Sequence, residues 1–150
     1  MEIKLLEQNI EMMAGSFQTV FETAWGRYQI LQGAKKKGAL NTVQISFLRT
    51  GVLLKTAWFQ IDLLDEDDWG ALEECCEDWE IGPILNDIYE STQENNRIST
   101  AQREKQLLAH AEQFAEMFQQ ILPAVIRPVR EEYPQVQFRF GEYMGTSQTI

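Results

Sequence analysis

The fold is decided by residues 42–64, TVQISFLRTGVLLKTAWFQIDLL, in which apolar and polar residues alternate with a period of two. Gly51 lies near the middle, where it suits the positive φ of a three-residue hairpin loop. We predict a β-hairpin over about 42–64 that turns at Arg49-Thr50-Gly51, with Leu48 opposite Val52. This register places nearly all the large apolar side chains on one face of the hairpin, namely Val43, Ile45, Phe47, Leu53, Ala57, Phe59 and Ile61.

A long helix is predicted before the hairpin. Apolar residues recur at steps of three and four from Ile3 to Leu31, which is the spacing of one helical face. Gly33 follows this stripe and is expected to end the helix in the left-handed conformation.

A second long helix is predicted near the C-terminus. Ser99 with Gln102 three residues later predicts a capping box at its start. Apolar residues over 107–129 again follow steps of three and four. Pro123 and Pro128 lie inside this pattern and predict a kink or an end. The two helices have apolar stripes of similar length, so we expect them to pack antiparallel.

These elements define the predicted fold class, α+β. A third strand is expected at about 135–141, where Val136, Phe138 and Phe140 alternate with polar residues. Two long antiparallel helices, together with shorter acidic helices, would pack on a small antiparallel sheet formed by the hairpin and this strand. Since 150 residues suit one core and no linker interrupts them, we predict a single domain over 1–150.

The most unusual feature of the composition is the segment 62–96, which holds thirteen Asp and Glu and no Lys or Arg. The remaining ten acids are outnumbered by the thirteen Lys and Arg, so the rest of the chain carries +3 although the whole carries −10. We interpret residues 65–80 as an acidic amphipathic helix that ends at Gly82-Pro83, before a second and less charged helix. Its apolar side would carry Trp69, Leu72, Cys76 and Trp79.

Several classes of partner are disfavoured. A sequence pI of about 4.6 is the opposite of what nucleic-acid binding requires, and the run Lys35-Lys36-Lys37 is interpreted as a solvated loop. The N-terminus lacks a signal-peptide pattern, and no apolar run approaches the roughly 18 residues of a membrane span. Cys75 and Cys76 are adjacent and cannot staple distant parts of a fold. We expect a soluble cytoplasmic protein that binds neither nucleic acid nor membrane.

The sequence contains no recognisable catalytic motif. We therefore predict no catalytic residue and favour a role other than catalysis. His110 is the only histidine and has no neighbours at metal-ligand spacing. A calcium loop starting at Asp65 would place Trp69 and Cys76 where oxygen ligands are needed, which excludes it. Cys76 is expected to pack beneath the acidic helix and Cys75 to flank it. We expect no metal and no cofactor.

The acidic helix over 65–80 suggests a protein-interaction or regulatory module that contacts a basic partner. A merely solvated charged face is the simpler interpretation of the same residues. The predicted contact residues are Asp67, Asp68, Glu73, Glu74, Glu77 and Asp78.

Two alternatives stay open. The first is a small-molecule binding protein or enzyme, with a pocket between the long helices and the sheet. Its candidate residues are His110, Arg139, Glu142 and Tyr143. The second is a homodimer formed through the hairpin edge or a helix stripe.

Overall fold

The computed structural model describes residues 3–54, 56–66, 75–81, 99–143 and 145–150. In chain order these residues form helices α1 (Ile3–Gln8) and α2 (Ile10–Gly33), strand β1 (Thr42–Phe47), helix α3 (Arg49–Leu53), strands β2 (Phe59–Leu64) and β3 (Cys76–Trp79), helix α4 (Thr100–Glu132), and strands β4 (Gln137–Glu142) and β5 (Ser147–Thr149). The mixture of helices and sheet agrees with the predicted class, and β4 is the strand predicted at about 135–141.

The described strands form one sheet of five, in the order β3-β2-β1-β4-β5. β1 pairs with β4 in parallel, whereas the other three pairs are antiparallel. The prediction of an antiparallel sheet is therefore wrong for β4. Alternation identifies a strand but not its direction, and β4 follows the long helix α4, which gives the chain enough length to return parallel to β1.

The first two strands do pair antiparallel, but the predicted turn is wrong. Phe47 lies opposite Phe59 and Thr42 opposite Leu64, so Leu48 and Val52 are not partners. Arg49-Thr50-Gly51 belongs to helix α3, and the connection between the strands spans 48–58. The predicted and observed partners of each β1 residue differ by an even number of positions, so Val43, Ile45 and Phe47 keep the predicted face.

One face of the sheet is apolar and packs against α2 and α4. Opposite residues in the register place Val43, Ile45 and Phe47 beside Leu63, Ile61 and Phe59, and all six are buried. The other face of β1 and β2 is mostly polar, with Gln44 opposite Asp62 and Ser46 opposite Gln60. α2 and α4 also contact each other. Their antiparallel direction stays a prediction.

Aromatic rings fill the space between this face and the helices. The centroid of the Phe59 ring lies 4.8 Å from that of Phe118 on α4, 6.1 Å from that of Phe140 and 6.2 Å from that of Trp79. Trp79 in turn lies 5.2 Å from Phe17 on α2. Aromatic pairs at these separations add stability beyond the area they bury. The cluster therefore joins both long helices to three strands.

The first helical stripe is divided between α1 and α2 at Asn9. At the C-terminal end of α2 the left-handed residue is Lys35, with φ of 60°, so the prediction of Gly33 is wrong. The Lys35 amide donates to the carbonyl of Gln32 and the Lys36 amide to that of Leu31, which together form a Schellman motif. Lys37 is buried and lies over the ring of Tyr28, unlike a residue of a solvated loop.

The capping box at the start of α4 is confirmed. The Ser99 hydroxyl accepts from the Gln102 amide, and the Gln102 side chain accepts from the Ser99 amide. Pro123 and Pro128 do not end the helix, which continues to Glu132. Both prolines are exposed, and each leaves the carbonyl four residues earlier without its helical donor.

The acidic helix predicted over 65–80 is wrong where the structure describes it, because Cys76–Trp79 is the strand β3. β3 pairs antiparallel with β2, and Trp79 lies opposite Phe59 on the apolar face. The residues Cys76 and Trp79 are three apart, which fits one helical face, but alternate burial in a strand decides their placement instead. The remainder of that helix (67–74) and the helix predicted after Gly82-Pro83 lie outside the described residues.

Gly51 is required by close packing in α3. A Cβ atom at this position would lie 1.8 Å from the backbone oxygen of Ala57. We expect Gly51→Ala to lower the free energy of unfolding by about 3 kcal/mol, because backbone must move to relieve the overlap. Gly26→Ala is the matched control: it meets no heavy atom within 4 Å in α2 and should raise stability by about 1 kcal/mol. Urea unfolding measures both, and equal effects would contradict this account of Gly51.

Lys35 allows the opposite test, since its left-handed backbone favours glycine. We expect Lys35→Gly to raise the free energy of unfolding by about 1 kcal/mol by removing the Cβ strain. Lys36→Gly removes the same charge without that gain, so urea unfolding should show no stabilisation. Equal stabilisation by both changes would show that charge rather than φ is responsible.

Candidate functional site

The acidic residues described after β2 lie at an edge of the sheet, on and beside β3. Asp78 and Glu80 are exposed to solvent. Glu77 is half-buried and forms an ion pair of 3.1 Å between its Oε1 and the Nη2 of Arg27 on α2. Of the predicted contact residues, only Glu77 and Asp78 fall in the described part of the chain, and Asp67, Asp68, Glu73 and Glu74 lie outside it.

The backbone of the β3 edge is contacted by side chains of α2. The Arg27 guanidinium donates to the Cys76 carbonyl, and the Ser16 hydroxyl donates to the Glu80 carbonyl at 3.3 Å. The Trp79 indole donates to the same Ser16 hydroxyl at 3.0 Å. Two backbone carbonyls at this edge are therefore engaged by side chains of α2, while the carboxylates of Asp78 and Glu80 are exposed.

The two thiols occupy the reverse of their predicted positions: Cys75 is fully buried and Cys76 is half-buried. The Cys75 Sγ lies 3.2 Å from the carbonyl oxygen of Ala24, to which it donates. Burial raises the pKa of the Cys75 thiol, and nearby Arg27 opposes this only in part. Cys75 therefore stays a protonated thiol at neutral pH and has the character of a core residue.

A cleft of about 480 Å³ opens between α4 and the carboxyl ends of the parallel strands β1 and β4. Its apolar floor is formed by Phe47, Ala115 and Phe140, all buried. Its other lining residues are polar or small and come from α3, α4 and the β4–β5 hairpin, namely Arg49, Glu112, Glu116, Gln119, Gly141, Glu142, Thr146, Ser147 and Gln148. A volume of this size with an apolar floor and convergent polar groups suits a small ligand.

Arg49 joins three elements at the head of this cleft. Its Nη1 lies 3.0 Å from Oε1 of Glu112 on α4, and its Nη2 lies 2.6 Å from Oε1 of Glu142 on β4. The hydrogen bond to Glu142 is the main reason that the pKa of Arg49 is raised, and the charge of Glu112 adds to it. All three side chains are about half exposed, so each pair contributes about 1 kcal/mol or less.

A second cleft of about 380 Å³ lies on the other side of the Arg49–Glu142 pair. Both clefts are lined by Phe47, Arg49 and Glu142, and the second also by Tyr143. Tyr143 is 53% exposed, and its amide donates to the Phe47 carbonyl. The Arg49–Glu142 pair therefore stands between two adjoining spaces.

The four residues predicted to line a pocket are only partly brought together. Glu142 lines both clefts and Tyr143 lines one. Arg139 instead donates from its Nε to the Ser147 hydroxyl at 3.0 Å and from its Nη2 to the Ser147 carbonyl at 2.8 Å. His110 is exposed on α4. Neither His110 nor Arg139 is among the described residues that line the two clefts.

Three charged residues of the cleft, Arg49, Glu112 and Glu116, are not among the residues predicted from the sequence. The available signal was weak: Glu112, Glu116 and Gln119 recur at steps of four and three beside the apolar stripe of α4, so they share one side of the helix. Glu112 and Glu116 are like charges at i and i+4, an arrangement that slightly destabilises a helix. Arg49 gives no such signal, because its position predicts a hairpin turn.

The described residues contain no group of three or more His, Cys, Asp or Glu side chains placed to hold a metal ion. None of the helices in this part of the chain combines the length and apolarity needed to cross a membrane.

Comparisons with models of protein families, with curated protein sequences and with solved structures find no match. Function is therefore inferred from the geometry and charge of the chain itself.

The contrast between the thiols gives a direct test of the β3 assignment. In the native protein at pH 8, an alkylating reagent should modify Cys76 rapidly and Cys75 only on unfolding, because burial protects Cys75 and raises its pKa. Mass spectrometry of the alkylated peptides measures both rates. Cys76→Ser should abolish the fast reaction and Cys75→Ala should preserve it. Faster modification of Cys75 would contradict the assignment.

Proposed function

We propose that this protein is an interaction or regulatory module that binds a basic protein partner through the acidic residues of 65–80. The contact residues proposed are Asp67, Asp68, Glu73, Glu74, Glu77 and Asp78. The single observation that carries the proposal is the separation of charge along the chain, with all thirteen Lys and Arg outside residues 62–96. We also propose a cytoplasmic setting, where adjacent cysteines would stay reduced.

The described part of the segment supports this proposal in two ways. Asp78 and Glu80 are exposed at the sheet edge, so their charges can reach a partner. Glu77 is held by Arg27, which fixes the position of one carboxylate while leaving its neighbours accessible. A concentrated negative field of this kind accelerates and orients the approach of a basic surface.

A second candidate function is supported by the cleft at the ends of β1 and β4. Its volume of about 480 Å³, its apolar floor and its polar walls are the properties of a small-molecule site. This corresponds to the predicted alternative of a pocket between helix and sheet, with Glu142 retained as a lining residue.

The basic-partner proposal is tested by reversing charge without disturbing the core. The variant Asp67→Lys, Asp68→Lys, Glu73→Lys, Asp78→Lys leaves the Glu77–Arg27 pair intact. We expect it to reduce capture of a basic protein from source lysate at least tenfold at low salt, because attraction becomes repulsion. Capture by the unchanged protein should itself fall as salt is raised.

The matched control is Glu7→Lys, Glu104→Lys, Glu131→Lys, Glu132→Lys, which changes the net charge equally at exposed positions elsewhere. Quantitative mass spectrometry of the captured proteins and thermal unfolding by circular dichroism are measured for both variants. Loss of the same protein by both folded variants would indicate general charge attraction and overturn the assigned surface. Undiminished capture by the first variant would also overturn it.

A further inference from the structure

We propose that the cleft between α4 and the ends of β1 and β4 binds an organic cation, in which an amine or guanidinium is attached to a short apolar body. The inference rests on the second candidate function, that this cleft holds a small ligand. Beyond that function, we infer that the ligand is an organic cation and that Glu116 and Arg49 determine its selection.

The shape of the cleft separates an apolar from a charged part. Phe47, Phe140 and Ala115 form a floor that can take a hydrocarbon body away from water. Glu116 and Gln119 are three residues apart on α4, so they lie on the same side of the helix and both line the cleft. A ligand lying on the floor would therefore have its polar end within the acidic walls.

The charges that line the cleft favour a cation. Among the described residues that line the cleft, three carry carboxylates, namely Glu112, Glu116 and Glu142, and one carries a guanidinium, Arg49. Glu112 and Glu142 are already bridged by Arg49, whereas Glu116 has no ion pair within the described part of the chain. An anionic ligand would meet one cation and three like charges. A cationic ligand would find Glu116 free to accept.

The α4 wall adds Gln119, whose side-chain amide oxygen is a further acceptor. The hairpin wall adds the hydroxyl of Thr146, whereas that of Ser147 already accepts from Arg139. Ammonium and guanidinium groups are donors without acceptors, and their hydrogen bonds to carboxylates are the stronger kind.

Arg49 is an example of a guanidinium bound by the carboxylates of the cleft, and it competes with a ligand cation for the same carboxylates. Its guanidinium bridges Glu112 and Glu142, yet its side chain is 49% exposed, and such pairs are weak. A ligand cation can therefore bind beside Arg49 at Glu116, or replace it between the other two carboxylates. Removal of Arg49 should strengthen cation binding, whereas it would weaken the binding of any anion.

The test uses a series with one body and different charges: butylammonium, butylguanidinium, 1-butanol and butyrate. Each is titrated into the full chain at low salt, and binding is followed by amide chemical shifts in two-dimensional NMR. We expect saturable shifts at Gly141, Ser147 and Gln148 with the two cations only. Binding should weaken about threefold to fivefold in Glu116→Gln and strengthen by a similar factor in Arg49→Gln, as for a partly exposed ion pair.

Glu104→Gln is the control, because it removes an exposed α4 carboxylate that does not line the cleft, and it should leave cation affinity unchanged. Saturable binding of butyrate or butanol at these amides, without the cations, would overturn the cation inference and leave the ligand-binding proposal standing. No saturable shift with any probe would overturn both. Weaker cation binding in a folded Arg49→Gln variant would overturn the role of Arg49. If Arg49→Gln does not fold, the loss of affinity in Glu116→Gln still tests the cation site.

Discussion

The structure depends on burial of one face of the sheet beneath α2 and α4. Phe59 is central to it, because its ring contacts rings on two neighbouring strands and on α4. The constraint is strict in register: a shift by one residue would turn Phe59 and Ile61 outward and bury Gln60 and Asp62. The apolar face therefore excludes every register shift by an odd number of residues, and Trp79 of β3, opposite Phe59, lies on the same face.

The same packing creates the cleft. Phe114 and Phe118 of α4 are held over Phe59, so the neighbouring side of the helix, with Glu112 and Glu116, is carried to the ends of β1 and β4. The apolar cover stops at Phe47 and Phe140, and the polar lining begins there. Arg49 reaches this point because β1 leads directly into α3. The position of the site is thus a consequence of helix packing, although its charges do not stabilise the core.

Local patterns could be predicted from the sequence, whereas pairings between distant segments could not. The Ser99 capping box and the strand at Phe138 and Phe140 depend on neighbouring residues and were found. Parallel pairing of β4 and the strand at Cys76–Trp79 depend on tertiary contacts. In particular, the sequence around Trp79 is compatible with either a helix or a strand, and only pairing with Phe59 on β2 decides for the strand. Arg49, Glu112 and Glu142 are far apart in sequence, so no local pattern could join them.

The two proposed sites use negative charge differently. At β3, Arg27 engages Glu77 and the Cys76 carbonyl, while Asp78 and Glu80 stay exposed. Exposed charges act at a distance and impose little geometry, so this surface suits the attraction and orientation of a partner. The cleft instead has walls and a floor, which can distinguish one cation from another by shape. Salt should separate these effects, because screening weakens attraction between exposed charges more than a contact with buried apolar surface.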